Sequence, residues 1–202
     1  MENWEPSALA EAIAGRIFVE LEASGRHVHV TKEQAEALFG HRLTPKRPLS
    51  QPGQYLANER VTVEGPKGEF REVAVLGPER KEAQVEVSLT DARTLGIDVP
   101  IRLSGDTALT PGATLIRPKG KIVLSSGVIA ARRHIHLTPE AAERFGVRGG
   151  QEVSLRTFTA RPLTFHHVAV RVSEDFAPYA HLDYDEANAC GFRPGDLGRI
   201  LP

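Results

Sequence analysis

The chain has 202 residues, room for one large domain or two small ones. Its 25 Lys and Arg balance 26 Asp and Glu to a net charge of −1, so no general attraction to nucleic acid or an anionic membrane surface is expected. The single cysteine, Cys190, excludes a disulfide framework and a cysteine-based zinc knuckle and suits a reducing cytoplasm; no apolar run is long enough to span a membrane, and the N-terminus lacks the basic and apolar segments of a secretory signal.

In chain order, Met1 to about Phe18 reads as a short helix opened by Pro6 and Ser7, with Leu9, Ile13 and Ile17 on one face. Such a helix either packs on its own domain or docks on a partner surface. Val19 to Val30 is a strand region broken at Ser24-Gly25. Thr31 then has the chemistry of an N-cap, with Gln34 three residues on as in a capping box, and the helix ends by Gly40. Leu43 to Asn58 reads as a proline-rich loop, either a binding loop or a surface excursion. Val61-Thr62-Val63 and Val73-Ala74-Val75 flank Gly65-Pro66-Lys67-Gly68, which is hairpin chemistry. A strand from Gln84 and a short helix over Asp91–Leu95 follow, closed by Gly96. Turns at Ser104-Gly105-Asp106 and Thr110-Pro111-Gly112 lie in a connection between Arg102 and Lys121.

The rest of the chain repeats this plan, and an internal repeat sets the architecture. Arg26-His27-Val28-His29 with Thr31 returns as Arg133-His134-Ile135-His136 with Thr138, and Phe39-Gly40 as Phe145-Gly146. Pro139 is a favoured first helical residue after Thr138. Val153-Ser154-Leu155 and Val168-Ala169-Val170 answer the first hairpin, and Tyr179 to Phe192 aligns with Gln84 to Ile97. Many short strands with close turn signals suggest small barrels. The expected fold is mainly β with short α-helices: two pseudo-symmetric small β-barrel domains capped by short helices. The expected divisions are 1–22 as N-terminal helix and lead-in strand, 23–118 as the first half and 119–202 as the second, with a strand exchanged between halves left open.

Side chains two apart in a strand share a face, about 6–7 Å apart along it. Each H-x-H pair is therefore either two half-exposed strand residues or a pair able to share one metal ion. The repeat alignment favours metal, because it sets Glu86 against His181. Each half then owns three residues of ligand type: His27, His29 and Glu86, and His134, His136 and His181. Three protein ligands with a vacant fourth position is how catalytic zinc is held. His41, His166 and His167 lack repeat partners and read as surface or core residues.

Taken together, R-H-V-H, S-Q-P-G-Q, G-P-K-G, L-G-P-E-R, Q-V-E-V-S-x-T-D-A-R, S-G-D, R-H-I-H and H-L-D-Y-D-E-A-N-A resemble the propanediol-utilisation type of phosphotransacylase, the phosphate propanoyltransferase family, from about Gly25 to Phe192. The resemblance implies two helix-capped β-barrels, a di-zinc site between them, and reversible conversion of acyl-CoA and inorganic phosphate into acyl phosphate and CoA. It places two zinc ions on the same six residues that the repeat picks out, and the phosphate-associated arginine on Arg80. Propanoyl-CoA or acetyl-CoA is the implied donor. Family members inside bacterial microcompartments carry an N-terminal targeting helix joined by a linker; here the helix runs almost directly into the core sequence, so contacts with shell or cargo partners, and a homo-oligomer, stay open beside a cytoplasmic setting.

Arg80 offers a planar fork suited to phosphate, or else a surface ion pair. Arg26 and Arg133 alternate to the face opposite the histidines and are expected to pair with carboxylates there. Asp183 and Asp185 follow His181 as orienting groups, with Asp185 alternatively an N-cap. Cys190 reads as a small buried residue and no G-x-S-x-G elbow is present, so direct transfer in a ternary complex is expected. Two rivals use the same residues: a di-zinc thioesterase or other hydrolase, and a non-catalytic binding module whose metal ties two barrels together.

Overall fold

The computed structural model of the chain describes residues 15 and 17–201. The helix expected from Met1 to Phe18 lies, apart from its last residues, outside them. The elements run β1 (Val19–Ser24), β2 (His27–His29), α1 (Lys32–Phe39), β3 (Pro45–Pro48), β4 (Tyr55–Glu64), β5 (Glu69–Gly77), β6 (Gln84–Val87) and α2 (Leu89–Leu95). Next come β7 (Ile101–Arg102), β8 (Thr114–Arg117), β9 (Gly120–Val123) and β10 (Val128–Ala131). The last are β11 (His134–Leu137), α3 (Pro139–Phe145), β12 (Glu152–Phe158), β13 (Thr164–Val172), β14 (Tyr179–Asp183), α4 (Tyr184–Cys190) and β15 (Leu197–Leu201).

Among the described residues, six strands close into a barrel in the order β1-β14-β11-β13-β12-β15. Nine others form a curled sheet, β7-β10-β6-β2-β5-β4-β8-β9, with β3 added on β4. The fold is mainly β with short helices and two barrel-like units, as the sequence suggests, although only the second unit closes. One compact unit holds residues 24–132 and 183–185; the other holds the described residues up to 23, 133–182 and 186–201.

The repeat is visible in the ladders. β2 runs parallel to β5, with His27 opposite Ala74 and Val28 opposite Val75. β11 runs parallel to β13, with His134 opposite Ala169 and Ile135 opposite Val170. On the other side β2 is antiparallel to β6, and β11 to β14. Period-2 alternation sends Val28 into one core, with Val61, Val75, Val85 and Leu115, and Ile135 into the other, with Leu155, Val168 and Ala180. The histidines take the opposite strand face, and they too are buried.

Local signals are realised at the helices. Thr31 and Gln34 form the full capping box, Thr138 caps α3 ahead of Pro139, and Gly40, Gly96 and Gly146 close their helices in the left-handed region. Two readings change. The loop expected over Leu43 to Asn58 contains β3, in which Pro45, Arg47 and Pro48 face Ala57, Leu56 and Tyr55. Its prolines are tolerated because β3 pairs on one side only and is exposed throughout. Asp185 is not an N-cap: α4 begins one residue earlier, at Tyr184, and the Asp185 carboxylate accepts from the Thr90 amide at 2.9 Å. Asp183 holds the repeat position of Ser88, the N-cap of α2.

Candidate functional site

β2 and β6 assemble the first cluster. Their antiparallel register sets His27 opposite Glu86 and His29 opposite Gln84, so all four side chains stand on one face of two adjacent strands. One ligand-type atom from each of His27, His29 and Glu86 falls within 4.8 Å of the other two. All three residues are buried. β11 and β14 repeat this in the other unit, with His134 opposite His181 and His136 opposite Tyr179. His134, His136 and His181 meet the same 4.8 Å limit. The ring centroids of His134 and His181 stack at 4.9 Å, and those of His136 and His181 lie 4.8 Å apart.

The hydrogen bonds fix which ring nitrogens are free to bind. Nδ1 of His27 lies 2.8 Å from the Gly25 carbonyl, and Nδ1 of His29 lies 3.2 Å from the Leu76 carbonyl. A carbonyl only accepts, so both Nδ1 atoms carry the proton and each neutral ring offers its Nε2 lone pair. Nε2 of His27 lies 3.5 Å from the Glu86 carboxylate. In the second cluster Nδ1 of His181 lies 3.3 Å from the Glu22 carboxylate of β1, which again directs Nε2 away. His27 and His29 in this tautomer with the Glu86 carboxylate, and the three imidazoles of the second cluster, are each the donor set of a divalent ion such as zinc. Both clusters could therefore hold a metal ion.

The electrostatics of the first cluster agree. Burial pushes the Glu86 carboxyl up, but the attraction of His27 outweighs it and holds the group well below the usual carboxylate range, in its ligand form. Burial drives His29 far below an ordinary histidine, helped by the positive charges of His27 and Arg80, so it stays neutral. Burial lowers His27 too, and Glu86 more than offsets this, so its pKa is raised.

Arg80 belongs to the first unit. Its backbone N–H donates to the Val30 carbonyl at 2.9 Å, and its Nη1 to the Ser104 hydroxyl at 3.0 Å. It lines an open cleft of about 310 Å3 with Pro52, Gly53, Gln54, Gly77 and Pro78. The proline-rich segment thus supplies a wall beside this arginine. Arg26 and Arg133 take the roles expected of them. Arg26 makes a two-pronged pair with Asp91 at 2.7 and 3.0 Å, and Arg133 pairs with Glu186. Neither His166 nor His167 joins a cluster: both are exposed, bonded to Ser154 and Glu152. His41 is exposed as well. Cys190 is fully buried, its Sγ 3.4 Å from the Ala187 carbonyl, and burial pushes the thiol up, away from nucleophilic thiolate character.

Gln84 and Ser104 are the residues the sequence reading passed over. Gln84 lies two before Glu86 in a strand, which was a sufficient signal that it shares the ligand face. Ser104 was legible only as a turn residue, since its approach to Arg80 is a long-range contact.

A family model described as phosphate propanoyltransferase matches residues 20–193. The chain belongs to the phosphate propanoyltransferase family. The phosphate propanoyltransferase of Enterococcus faecalis is 54% identical over 184 residues, 90% of this chain and 87% of its own length. That of Listeria monocytogenes is 49% identical over 207 residues, 100% of this chain and 97% of its own. That of Thermotoga maritima is 51% identical over 181 residues, 88% and 86% respectively. As a phosphate propanoyltransferase family member, the protein is a phosphate acyltransferase. Among its described residues no helix is long and apolar enough to cross a membrane.

Proposed function

We propose that the protein transfers an acyl group, propanoyl or acetyl, reversibly between CoA and inorganic phosphate, by direct transfer at two zinc ions. The observation that carries this reading is the pair of buried three-ligand clusters at repeat-equivalent positions, one of them within electrostatic reach of Arg80. In the first half His27, His29 and Glu86 would hold one ion; in the second, His134, His136 and His181 would hold the other. Zinc bound there supplies Lewis acidity toward a thioester carbonyl or phosphate oxygen and stabilises a thiolate.

The remaining chemistry falls to side chains. The Arg80 guanidinium presents two parallel N–H groups to phosphate and offsets its charge, which lets an anion approach the carbonyl carbon. A phosphate oxygen attacks that carbon, the new C–O bond forms, the C–S bond breaks, and CoA leaves as thiolate. No acyl-enzyme is required, and the buried, protonated Cys190 is unsuited to forming one. Cys190 is also the free cysteine of the chain, which suits a reducing cytoplasm or a microcompartment within it.

The test is CoA release from propanoyl-CoA and from acetyl-CoA, with and without phosphate. Release that requires phosphate and equals acyl phosphate formed is the expected result. Release of free acid without phosphate would make the protein a hydrolase, and release under neither condition a binding module.

A further inference from the structure

β6 brings a second polar residue to the face that carries Glu86. Gln84 is 2% exposed, and its amide is fully used. Its Nε2 donates to the Glu86 carboxylate and, at 2.9 Å, to the Ser104 hydroxyl, while its Oε1 accepts from the Gly105 amide at 2.8 Å. The amide cannot be turned over, because a carboxylate accepts only and a backbone N–H donates only. Ser104 is the second junction. Its hydroxyl accepts from Gln84 and from Nη1 of Arg80 at 3.0 Å. Its oxygen therefore joins the guanidinium to the amide that holds Glu86.

We propose that Gln84 and Ser104 are positioning residues that bind the Glu86 carboxylate and the Arg80 guanidinium into one unit, so that metal capture and phosphate capture in the first half depend on each other. This rests on the function proposed above for Glu86 and Arg80. A carboxylate ligand can swing about its side-chain torsions; the buried Gln84 donor on it selects one orientation. An arginine side chain is equally free, and a serine oxygen held in place by a buried glutamine restrains it. The connection spans β6 and the Ser104-Gly105 turn, so either residue alone severs it. The second half has Tyr179 at the position of Gln84, opposite His136, and so lacks an amide there.

The experiment uses Gln84→Met, close in length but without the donors, together with Ser104→Ala and Ser104→Thr. Metal affinity is read by chelator competition on the full chain, and a His181→Ala background assigns the signal to the first cluster. Gln84→Met should weaken that metal about ten- to hundredfold. It should also raise the KM for phosphate about five- to tenfold, as loss of a single restraining hydrogen bond does, while the KM for acyl-CoA moves less than about twofold. Ser104→Ala should raise the phosphate KM by a similar factor, and Ser104→Thr, which keeps the hydroxyl, should restore most of it. Unchanged metal affinity and phosphate KM in Gln84→Met would overturn the proposal. So would a threonine no better than alanine at 104, or equal losses for both substrates with a lowered melting temperature. If the wild type makes no acyl phosphate, the proposed function fails, and chelator competition still reads the hold of Gln84 on Glu86. If the wild type binds no metal, the KM values still read the hold of Ser104 on Arg80.

Discussion

The two halves share a frame and differ in what it carries. In each, a His-x-His strand lies between a parallel and an antiparallel neighbour in the same register. In each, the arginine before the histidines reaches an acidic residue at an equivalent position of the half's second helix, Asp91 of α2 or Glu186 of α4. Those residues serve the backbone, and backbone geometry is the same twice. The face toward the cluster differs: Glu86 and Gln84 in the first half, His181 and Tyr179 in the second. Equal spacing between flanking strands also puts Asp175, which is exposed, where the first half has Arg80. One half therefore concentrates a carboxylate, an amide and a guanidinium, and the other keeps imidazoles. Under the proposed function the difference would give the anion-binding charge to the first half and, with an ion in each cluster, the stronger Lewis acid to the second.

The sharpest way to break this comparison is to remove the unequal ligands. His181→Ala should lose one metal ion per chain and abolish turnover, a loss of at least about 1000-fold, on the order of 4 kcal/mol of transition-state free energy. Glu86→Ala should also lose one ion and most activity. Glu86→His should recover the ion better than the rate, because imidazole brings no negative charge and cannot accept from Gln84 as a carboxylate does. Elemental analysis, circular dichroism and turnover on the three variants check this, with the folds retained because the apolar cores on the opposite strand faces are untouched. An unchanged metal count in both alanine variants would show that the equivalence of Glu86 and His181 has no chemical meaning.

Much of this was legible in the chain because the signals are local. Alternation at His27-Val28-His29 and His134-Ile135-His136 fixes which residues are inside, and the caps at Thr31 and Thr138 fix where helices begin. The equivalence of Glu86 and His181 was also readable, since the repeat supplies a long-range pairing that a single copy would hide. Closure was not readable. Whether a sheet closes depends on pairings such as β1 with β15, which join residues from the two ends of the chain. Pro45 to Pro48 looked like a loop because proline weakens a ladder from within, whereas at an edge it costs little. Of the link from Arg80 through Ser104 to Gln84 and Glu86, only the last step, two residues apart in one strand, carries a local signature.

A smaller effect tests the shared frame. Asp91 is 4% exposed, accepts two bonds from Arg26, and completes the capping box of α2 with Ser88. Glu186 is more exposed, with 18% of its side chain accessible against 6% for Asp91. Asp91→Ala should therefore cost about 2–3 kcal/mol, since it leaves a partly buried guanidinium and a frayed helix start. Glu186→Ala should cost about 1–2 kcal/mol. Urea denaturation of both variants reads the difference. A larger loss at Glu186 would mean that the two pairs are not equivalent supports.

The smallest expected effect is a pH dependence in the first half, at the residue before Arg80. Arg42 forms an ion pair with Glu79, whose carboxylate also accepts from the Leu43 amide at 3.1 Å. The Arg42 hydrogen bond, opposed by burial and aided by that amide, holds the Glu79 carboxyl down at about 2, from an ordinary 4.5. Between those values the folded chain keeps Glu79 ionised while the unfolded chain binds a proton there, so unfolding takes up protons and acid favours it. The stabilisation is fully present above the ordinary value and drains away as pH falls toward about 2. Because the guanidinium is solvent-exposed, screening keeps the effect small. Glu79→Gln should melt slightly below the wild type from pH 5 to 7, and the two curves should converge as pH drops through this window. A gap that widens in acid would reverse the sign, and would remove Glu79 as the group that ties the turn before Arg80 to the end of the α1 loop.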